Sequence, residues 1–167
     1  NPAEYRRIVS GAKAKRRWGV GTVICLVAMA CFSTFGWSYA THKEEIVPAV
    51  QVSAVNGKVS IDLGQFADGH LHRYVYRASG GEGVRFIVIL KGGSAYGVGL
   101  DACEICGPTG YYEKDGQVVC KLCDVVMNKA TIGSKGGCNP IPVKYTIEGG
   151  KLIVNAEDLE ANRKVFR

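Results

Sequence analysis

The fold is decided by residues 71–90, which read LHRYVYRASGGEGVRFIVIL. Residues 71–78 are rich in aromatic and β-branched side chains, and residues 84–90 form a nearly continuous apolar run, as in a central strand. Gly80 and Gly81 lie between them and supply a turn. We therefore predict that the two segments form a β-hairpin in a β-rich domain.

The flanking sequence extends this β pattern. Further strands are predicted over residues 58–63, 117–120, 143–147 and 151–154, the last two joined at Gly149-Gly150. We predict a short helix over residues 121–129, and Asn155 as the cap of a last helical turn over residues 156–162. The predicted fold class is mainly β (α+β), with a compact antiparallel β-rich domain of about 120 residues.

The formal net charge of +6 comes from one end of the chain. Residues 1–17 carry six Lys and Arg against one Glu, a sum of +5, whereas residues 41–167 carry 15 Lys and Arg against 14 Asp and Glu, a sum of +1. A nucleic-acid-binding domain would carry its basic charge on the folded part. The charge distribution therefore argues against nucleic acid as a partner.

The 23 residues from 18 to 40 contain no charged side chain. About 20 apolar residues cross a bilayer, and the aromatic residues Trp18, Trp37 and Tyr39 lie near the two ends, as in a spanning helix. A signal peptide is the alternative, but Ser38-Tyr39-Ala40 is a poor cleavage site. We predict a transmembrane helix in which Cys25 and Cys31 serve as small apolar residues.

The charges on either side of this segment predict its orientation. Lys and Arg stay on the cytoplasmic side, so the remaining chain is expected outside the cytoplasm, on the periplasmic side of the inner membrane. The expected organisation is a basic cytoplasmic flank (1–17), a single transmembrane helix (18–40), a linker (41–55) and a cysteine-rich metal-binding domain (56–167). The chain begins at Asn1 rather than methionine, so we expect a processed form or part of a longer protein.

Five cysteines in the predicted domain form the strongest chemical motif: Cys103, Cys106, Cys120, Cys123 and Cys138. Two C-x2-C pairs can direct four thiolates at one centre, which suits tetrahedral zinc, a mononuclear iron or an iron–sulfur cluster. The 13 residues between the pairs are slightly fewer than in most zinc ribbons. Cys138 follows two glycines, which would let the backbone approach a cofactor closely.

Disulfides are the competing interpretation of these cysteines. Thiols outside the cytoplasm tend to be oxidised, and four cysteines allow three pairings with the fifth left over. A C-x2-C pair, however, closes a small loop that is more typical of redox or metal chemistry than of a structural crosslink.

Other residues are weaker candidates for the site. His70 and His72 would share one face of a strand, which suits metal ligation as well as an ordinary solvated face. Met127 would lie near Cys123 on the predicted helix, where it could bind copper or fill the core. Asp101 could orient the first cysteine turn or cap a helix, and Tyr111 and Tyr112 are expected to pack over the site.

The cysteine region resembles the FtrD-like membrane iron–sulfur proteins. The resemblance is sharp over residues 101–142 and rests on Asp101-Ala-Cys-Glu-Ile-Cys106, Gly110-Tyr-Tyr112, Val119-Cys-Lys-Leu-Cys123 and Gly136-Gly-Cys-Asn-Pro140. It is looser over about 56–100, where His70 and His72 match a His-containing strand. The resemblance implies that the five cysteines are ligands and that the protein passes electrons during ferrous iron uptake, beside a high-affinity iron permease. Members often have several transmembrane helices, whereas this sequence predicts one.

Together these features predict a membrane-anchored, extracytoplasmic metalloprotein that carries electrons or metal for an iron-transport assembly, and they favour electron transfer or metal binding over enzymatic catalysis. Its cofactor would be an iron–sulfur cluster, mononuclear iron or copper, with zinc as an alternative. A structural zinc- or disulfide-stabilised subunit of a membrane complex, or a thiol–disulfide oxidoreductase, would fit the same cysteines. Hydrolase and phosphate-binding motifs are absent from the sequence.

Overall fold

The computed structural model describes residues 15, 18–33 and 47–167. The chain divides into two units, Asn1–Lys43 and Glu44–Arg167. In the first unit, residues 18–33 lie in helix α1. Among the described residues, no helix is both long and apolar enough to cross a membrane. Residues 34–40 of the expected transmembrane helix, residues 41–46 of the expected linker and all of the basic flank except residue 15 lie outside the described part.

Within residues 47–167 the second unit contains ten strands and one α-helix. The strands are β1 (Val50–Val52), β2 (Lys58–Asp62), β3 (His72–Arg77), β4 (Gly83–Gly92), β5 (Ala95–Leu100), β6 (Tyr111–Lys114), β7 (Gln117–Cys120), β8 (Val126–Met127), β9 (Thr146–Glu148) and β10 (Lys151–Asn155). Helix α2 (Ala156–Ala161) follows β10, and 3-10 turns occupy Leu63–Phe66, Lys129–Thr131 and Arg163–Phe166.

The strands form three sheets, in the orders β1-β3-β4-β5, β2-β10-β9 and β6-β7-β8. The predicted hairpins are confirmed: β3 pairs antiparallel with β4 across Gly80-Gly81, and β9 with β10 across Gly149-Gly150. The mainly antiparallel β-rich fold is therefore confirmed. The exception is β1, which lies in the segment expected to be a linker and pairs parallel with β3.

A first hydrophobic core joins the β1-β3-β4-β5 sheet to the β2-β10-β9 sheet. In β2 the buried Val59 and Ile61 alternate with exposed residues, as expected of a strand with one buried face. Tyr74 stacks on Phe86 with ring centroids 5.4 Å apart, and Leu152 and Leu159 are fully buried in the same cluster. Each such side chain stabilises the fold by about 1.5–3 kcal/mol.

The helix predicted over residues 121–129 is wrong. Residues 120–124 form a turn in which Asp124 has a φ of +53°, a conformation that a helix cannot continue. The β-branched Val125 and Val126 then lead into β8, so Met127 lies on a strand. The last predicted helical turn is confirmed as α2, although Asn155 makes no side-chain capping hydrogen bond there.

Candidate metal centre

The first C-x2-C pair lies in a tight turn closed by backbone hydrogen bonds. The N–H of Cys103 donates to the carbonyl of Gly107 (3.1 Å), and the N–H of Gly107 donates back to Cys103 (3.0 Å). Gly107 has a φ of +65°, which glycine adopts at little cost. This closure leaves the N–H of Cys106 free to donate to the Sγ atom of Cys103 at 3.0 Å.

The second pair repeats this geometry. The N–H of Asp124 donates to the carbonyl of Cys120 (3.0 Å), and the N–H of Cys120 donates to Val125 (3.0 Å). Asp124 occupies the same left-handed conformation as Gly107, which Asp tolerates better than most residues. The two pairs are thus equivalent turns, each ending one residue before a left-handed residue.

The β6–β7 hairpin brings the two turns together. Tyr111, which follows the first turn, pairs with Cys120, the first residue of the second turn, across an Asp115-Gly116 connection. The hairpin doubles the chain back on itself, so a spacing of 13 residues suffices to face the two pairs.

Cys138 reaches the same place on a loop that lies against β5. Leu100 donates its N–H to the carbonyl of Ile141 at 2.7 Å, and Ile141 donates to Ala102 at 3.0 Å. A Cβ atom on Gly99 would lie 2.7 Å from the Cβ atom of Pro140, so the close approach requires glycine in β5. This role of Gly99 was not predicted, although the Gly97-Val-Gly99 alternation in the sequence is a signal for it.

All five predicted cysteines converge. The thiols of Cys103, Cys106 and Cys138 lie within 4.8 Å of one another, as do those of Cys106, Cys120 and Cys123. The Sγ atom of Cys123 lies 3.7 Å from those of Cys106 and Cys138. The five clustered cysteines form no disulfide bond with one another. Cys106 belongs to both groups and therefore occupies the middle of the cluster.

The surroundings of the thiols shift their pKa values in different directions. Burial raises the pKa of Cys103, but hydrogen bonds from the N–H groups of Cys106 and Ile105 outweigh it and leave the pKa below its usual value. The N–H of Val125 likewise lowers the pKa of Cys123. Burial, followed by the neighbouring thiols, raises the pKa of Cys106 well above its usual range. One thiol from each turn is thus prepared to become a thiolate, the form that binds metals.

A buried ion cluster lies beneath the first turn. Asp101 is fully buried and accepts hydrogen bonds from the side chains of Arg73 (2.5 Å) and Arg85 (3.4 Å). Its other oxygen accepts the backbone N–H of Tyr111 at 2.7 Å. Asp101 therefore links the segment just before the first turn to Tyr111 at the start of the hairpin. Its position agrees with the predicted orienting role, and it lies at no helix start.

The weaker candidates are His70, His72 and Met127, and neither histidine belongs to a three-cysteine group. His70 precedes β3 and contacts the carboxylate of Glu113 through its Nδ1 atom at 3.1 Å. His72 contacts Asp68 through its Nε2 atom at 2.9 Å and lies edge-on to Phe66. Met127 is buried in a second hydrophobic core that also holds Cys103 and Cys120. Metal ligation by these three residues stays a prediction.

A family model described as "Membrane iron-sulfur containing protein FtrD-like" matches residues 66–166. The chain belongs to this FtrD-like family. The match covers more than half of the chain, includes all five clustered cysteines and confirms the resemblance drawn from their spacing. No curated protein and no solved structure matches the chain.

The donor atoms fit the metal chemistry in the FtrD-like description. Thiolates are the usual ligands of iron–sulfur clusters, and they also bind zinc and copper. Two thiolates on one tetrahedral metal atom with bonds of about 2.3 Å lie about 3.8 Å apart. The measured Sγ separations of 3.7 Å are close to that value. Cys123 is therefore spaced to share a metal atom with Cys106 and with Cys138.

Proposed function

We propose that this domain is a thiolate-bound metal carrier that transfers electrons or metal for a bacterial iron-transport system. The observation that supports it is the convergence of five thiols from three separate segments. Cys103, Cys106, Cys120, Cys123 and Cys138 would hold an iron–sulfur cluster, a single iron or a copper ion. Such a group, when bound, gains and loses one electron at a potential tuned by its hydrogen bonds and exposure.

The chain's own residues suit an electron carrier. Hydrogen bonds from N–H groups to the sulfurs of Cys103 and Cys123 stabilise negative charge on those atoms. Cys123 is exposed and Cys106 half-buried, so the centre is accessible from one side, while Cys103 and Cys120 are buried. A partner could therefore approach the exposed thiols without opening the fold.

We propose membrane anchoring through residues 18–40, with the cysteine domain on the periplasmic side. This part of the proposal rests on the charge-free sequence, the basic flank before it and the family description as a membrane protein. An iron permease as partner follows from the sequence resemblance. The nearly balanced charge of residues 41–167 predicts that association with a soluble partner depends little on salt.

The test is elemental and sulfide analysis with absorption spectra on the full chain, purified anaerobically. Iron with labile sulfide, or iron or copper with visible absorption that bleaches on reduction, would support the carrier. Cys106→Ser should lose the metal because Cys106 belongs to both of the three-cysteine groups. Cys31→Ser, the same change in α1, is the matched control and should retain it.

A structural zinc subunit is the second candidate, since the 3.7 Å sulfur spacing also suits zinc. Zinc alone, with no redox-active absorption, would overturn the carrier and support this function. Metal-free protein with oxidised cysteines would instead support thiol–disulfide exchange. Within residues 47–167, however, neither C-x2-C pair opens an α-helix, unlike the thioredoxin-like setting.

A further inference from the structure

We propose that Tyr111 is the positioning residue that unites the three cysteine segments into one centre. This inference rests on the proposed function for its significance, but its geometry concerns the chain alone. Tyr111 is 1% exposed and packs in the second hydrophobic core with Cys103 and Cys120. It is therefore a fixed point from which the three segments can be held.

Each segment has its own contact with Tyr111. The hydroxyl group donates to the backbone carbonyl of Cys138 at 2.6 Å. The ring lies in the same buried cluster as Cys103 of the first turn. Through its backbone, Tyr111 pairs with Cys120 in the β6–β7 hairpin. One side chain thus bonds to the Cys138 loop and packs in the core that holds the first turn, while its backbone pairs with the second turn.

The backbone of Tyr111 is held in place by the buried ion cluster. The Asp101 carboxylate accepts the Tyr111 N–H at 2.7 Å, and Arg73 and Arg85 hold that carboxylate in turn. The ring is almost fully buried, so its hydroxyl group has little freedom to turn toward solvent. The hydroxyl group therefore donates to the Cys138 carbonyl from a fixed position.

The Cys138 loop needs such a fixed partner. Gly136 and Gly137 precede the cysteine with φ values of +116° and +60°, and glycine has the largest conformational freedom to lose on ordering. Thr131 restrains the following residue, since its hydroxyl group donates to the Asn139 side chain at 3.0 Å. The hydrogen bond from Tyr111 acts on Cys138 itself, so it restrains the approach of this thiol to Cys103 and Cys123.

The test compares Tyr111→Phe with Tyr145→Phe in the full chain. Tyr145 also donates its hydroxyl group to a backbone carbonyl, that of Tyr96 at 3.0 Å, but it belongs to the first core. Both variants keep the ring and lose one oxygen. The first readout is the alkylation rate of Cys138 relative to Cys123, measured by mass spectrometry on reduced, metal-free protein.

We expect Cys138 to react about three- to tenfold faster in Tyr111→Phe, which is the population change produced by losing one net hydrogen bond. Tyr145→Phe should leave the ratio unchanged. An unchanged ratio in Tyr111→Phe, or an equal change in both variants, would overturn the proposal. This readout requires no bound metal, so it stands apart from the test of the carrier function.

The second readout is the reduction potential of iron-loaded protein. Loss of the hydrogen bond to the Cys138 carbonyl should change how this thiol is held and exposed at the centre, so the potential should shift in Tyr111→Phe and stay unchanged in Tyr145→Phe. A potential that stays at the wild-type value would show that the hydroxyl group does not act on the centre. Circular dichroism and thermal unfolding would check that both variants are folded.

Discussion

Asp101 is the residue whose loss should destabilise the protein most. It is fully buried and is the common partner of Arg73 and Arg85. Asp101→Asn keeps the shape but leaves two guanidinium groups, one of them buried, without their counter-charge. Breaking a buried ion pair costs about 3–5 kcal/mol. We expect a decrease of that size in the free energy of unfolding, measured by urea denaturation.

The matched control is Asp115→Asn, the same chemical change in the exposed turn of the β6–β7 hairpin. Asn suits a residue with a φ of +49°, so the change in stability should stay within about 0.5 kcal/mol. A similar small effect at Asp101 would mean that the arginines find other partners and that the buried ion cluster is dispensable.

Residue types allowed the thiols, but not their supports, to be predicted. Cysteine has few roles, so the five-cysteine spacing was sufficient to place Cys103, Cys106, Cys120, Cys123 and Cys138 together. Tyrosine and glycine have many roles, and the sequence does not reveal that Tyr111 contacts the carbonyl of Cys138. That contact joins residues 27 positions apart and depends on the tertiary fold.

At the scale of elements, β5 and the Cys138 loop depend on each other through Gly99. An added methyl group would lie 2.7 Å from the Cβ atom of Pro140 and 3.0 Å from the carbonyl oxygen of Ile141. Gly99→Ala should therefore displace the loop, weaken the Leu100–Ile141 hydrogen bond and destabilise the fold by about 1–3 kcal/mol. Urea denaturation and metal stoichiometry would measure the two effects.

Gly83→Ala in β4 is the control for this change. Its methyl group would meet a single methyl of Val75 at 3.2 Å, and its φ lies outside the left-handed region. Metal content should remain at the wild-type level in Gly83→Ala and fall in Gly99→Ala. Full metal content in Gly99→Ala would show that the Cys138 loop tolerates displacement from β5.

Elements with strong local signals were predicted, and those that depend on partners were not. The β3–β4 hairpin has both a hydrophobic pattern and a glycine turn. By contrast, half of the residues in β5 are glycine or alanine, and β8 has only two residues. Each of these strands is therefore stabilised by its neighbours rather than by its own sequence. Residues 121–129 have helical spacing of apolar residues, but the second cysteine turn excludes a helix.

At the scale of the whole domain, the buried residues form two hydrophobic cores that differ in their cysteine content. The first core contains no cysteine among its buried residues, whereas the second includes Cys103 and Cys120 directly and Cys106 and Cys138 at its edge. A metal that binds only the folded state stabilises it by mass action, by about 4 kcal/mol at a thousand times the dissociation constant. This stabilisation should act first on the part of the domain that contains the ligands.

We therefore predict that removing the metal loosens the second core and spares the first. Hydrogen exchange after anaerobic chelation should accelerate at amides of β6, β7 and the Cys138 loop, and stay slow in β2 and β10, whose buried Val59, Ile61, Leu152 and Val154 belong to the first core. Cys106→Ser should give the hydrogen-exchange pattern of metal-free protein with or without chelator, because Cys106 belongs to both of the three-cysteine groups. Equal acceleration in both cores would contradict this division and show that the sheets unfold as a single cooperative unit. Slow exchange limited to β2 and β10 would instead show that the first core stays folded while the cysteine segments become ordered only when the metal binds.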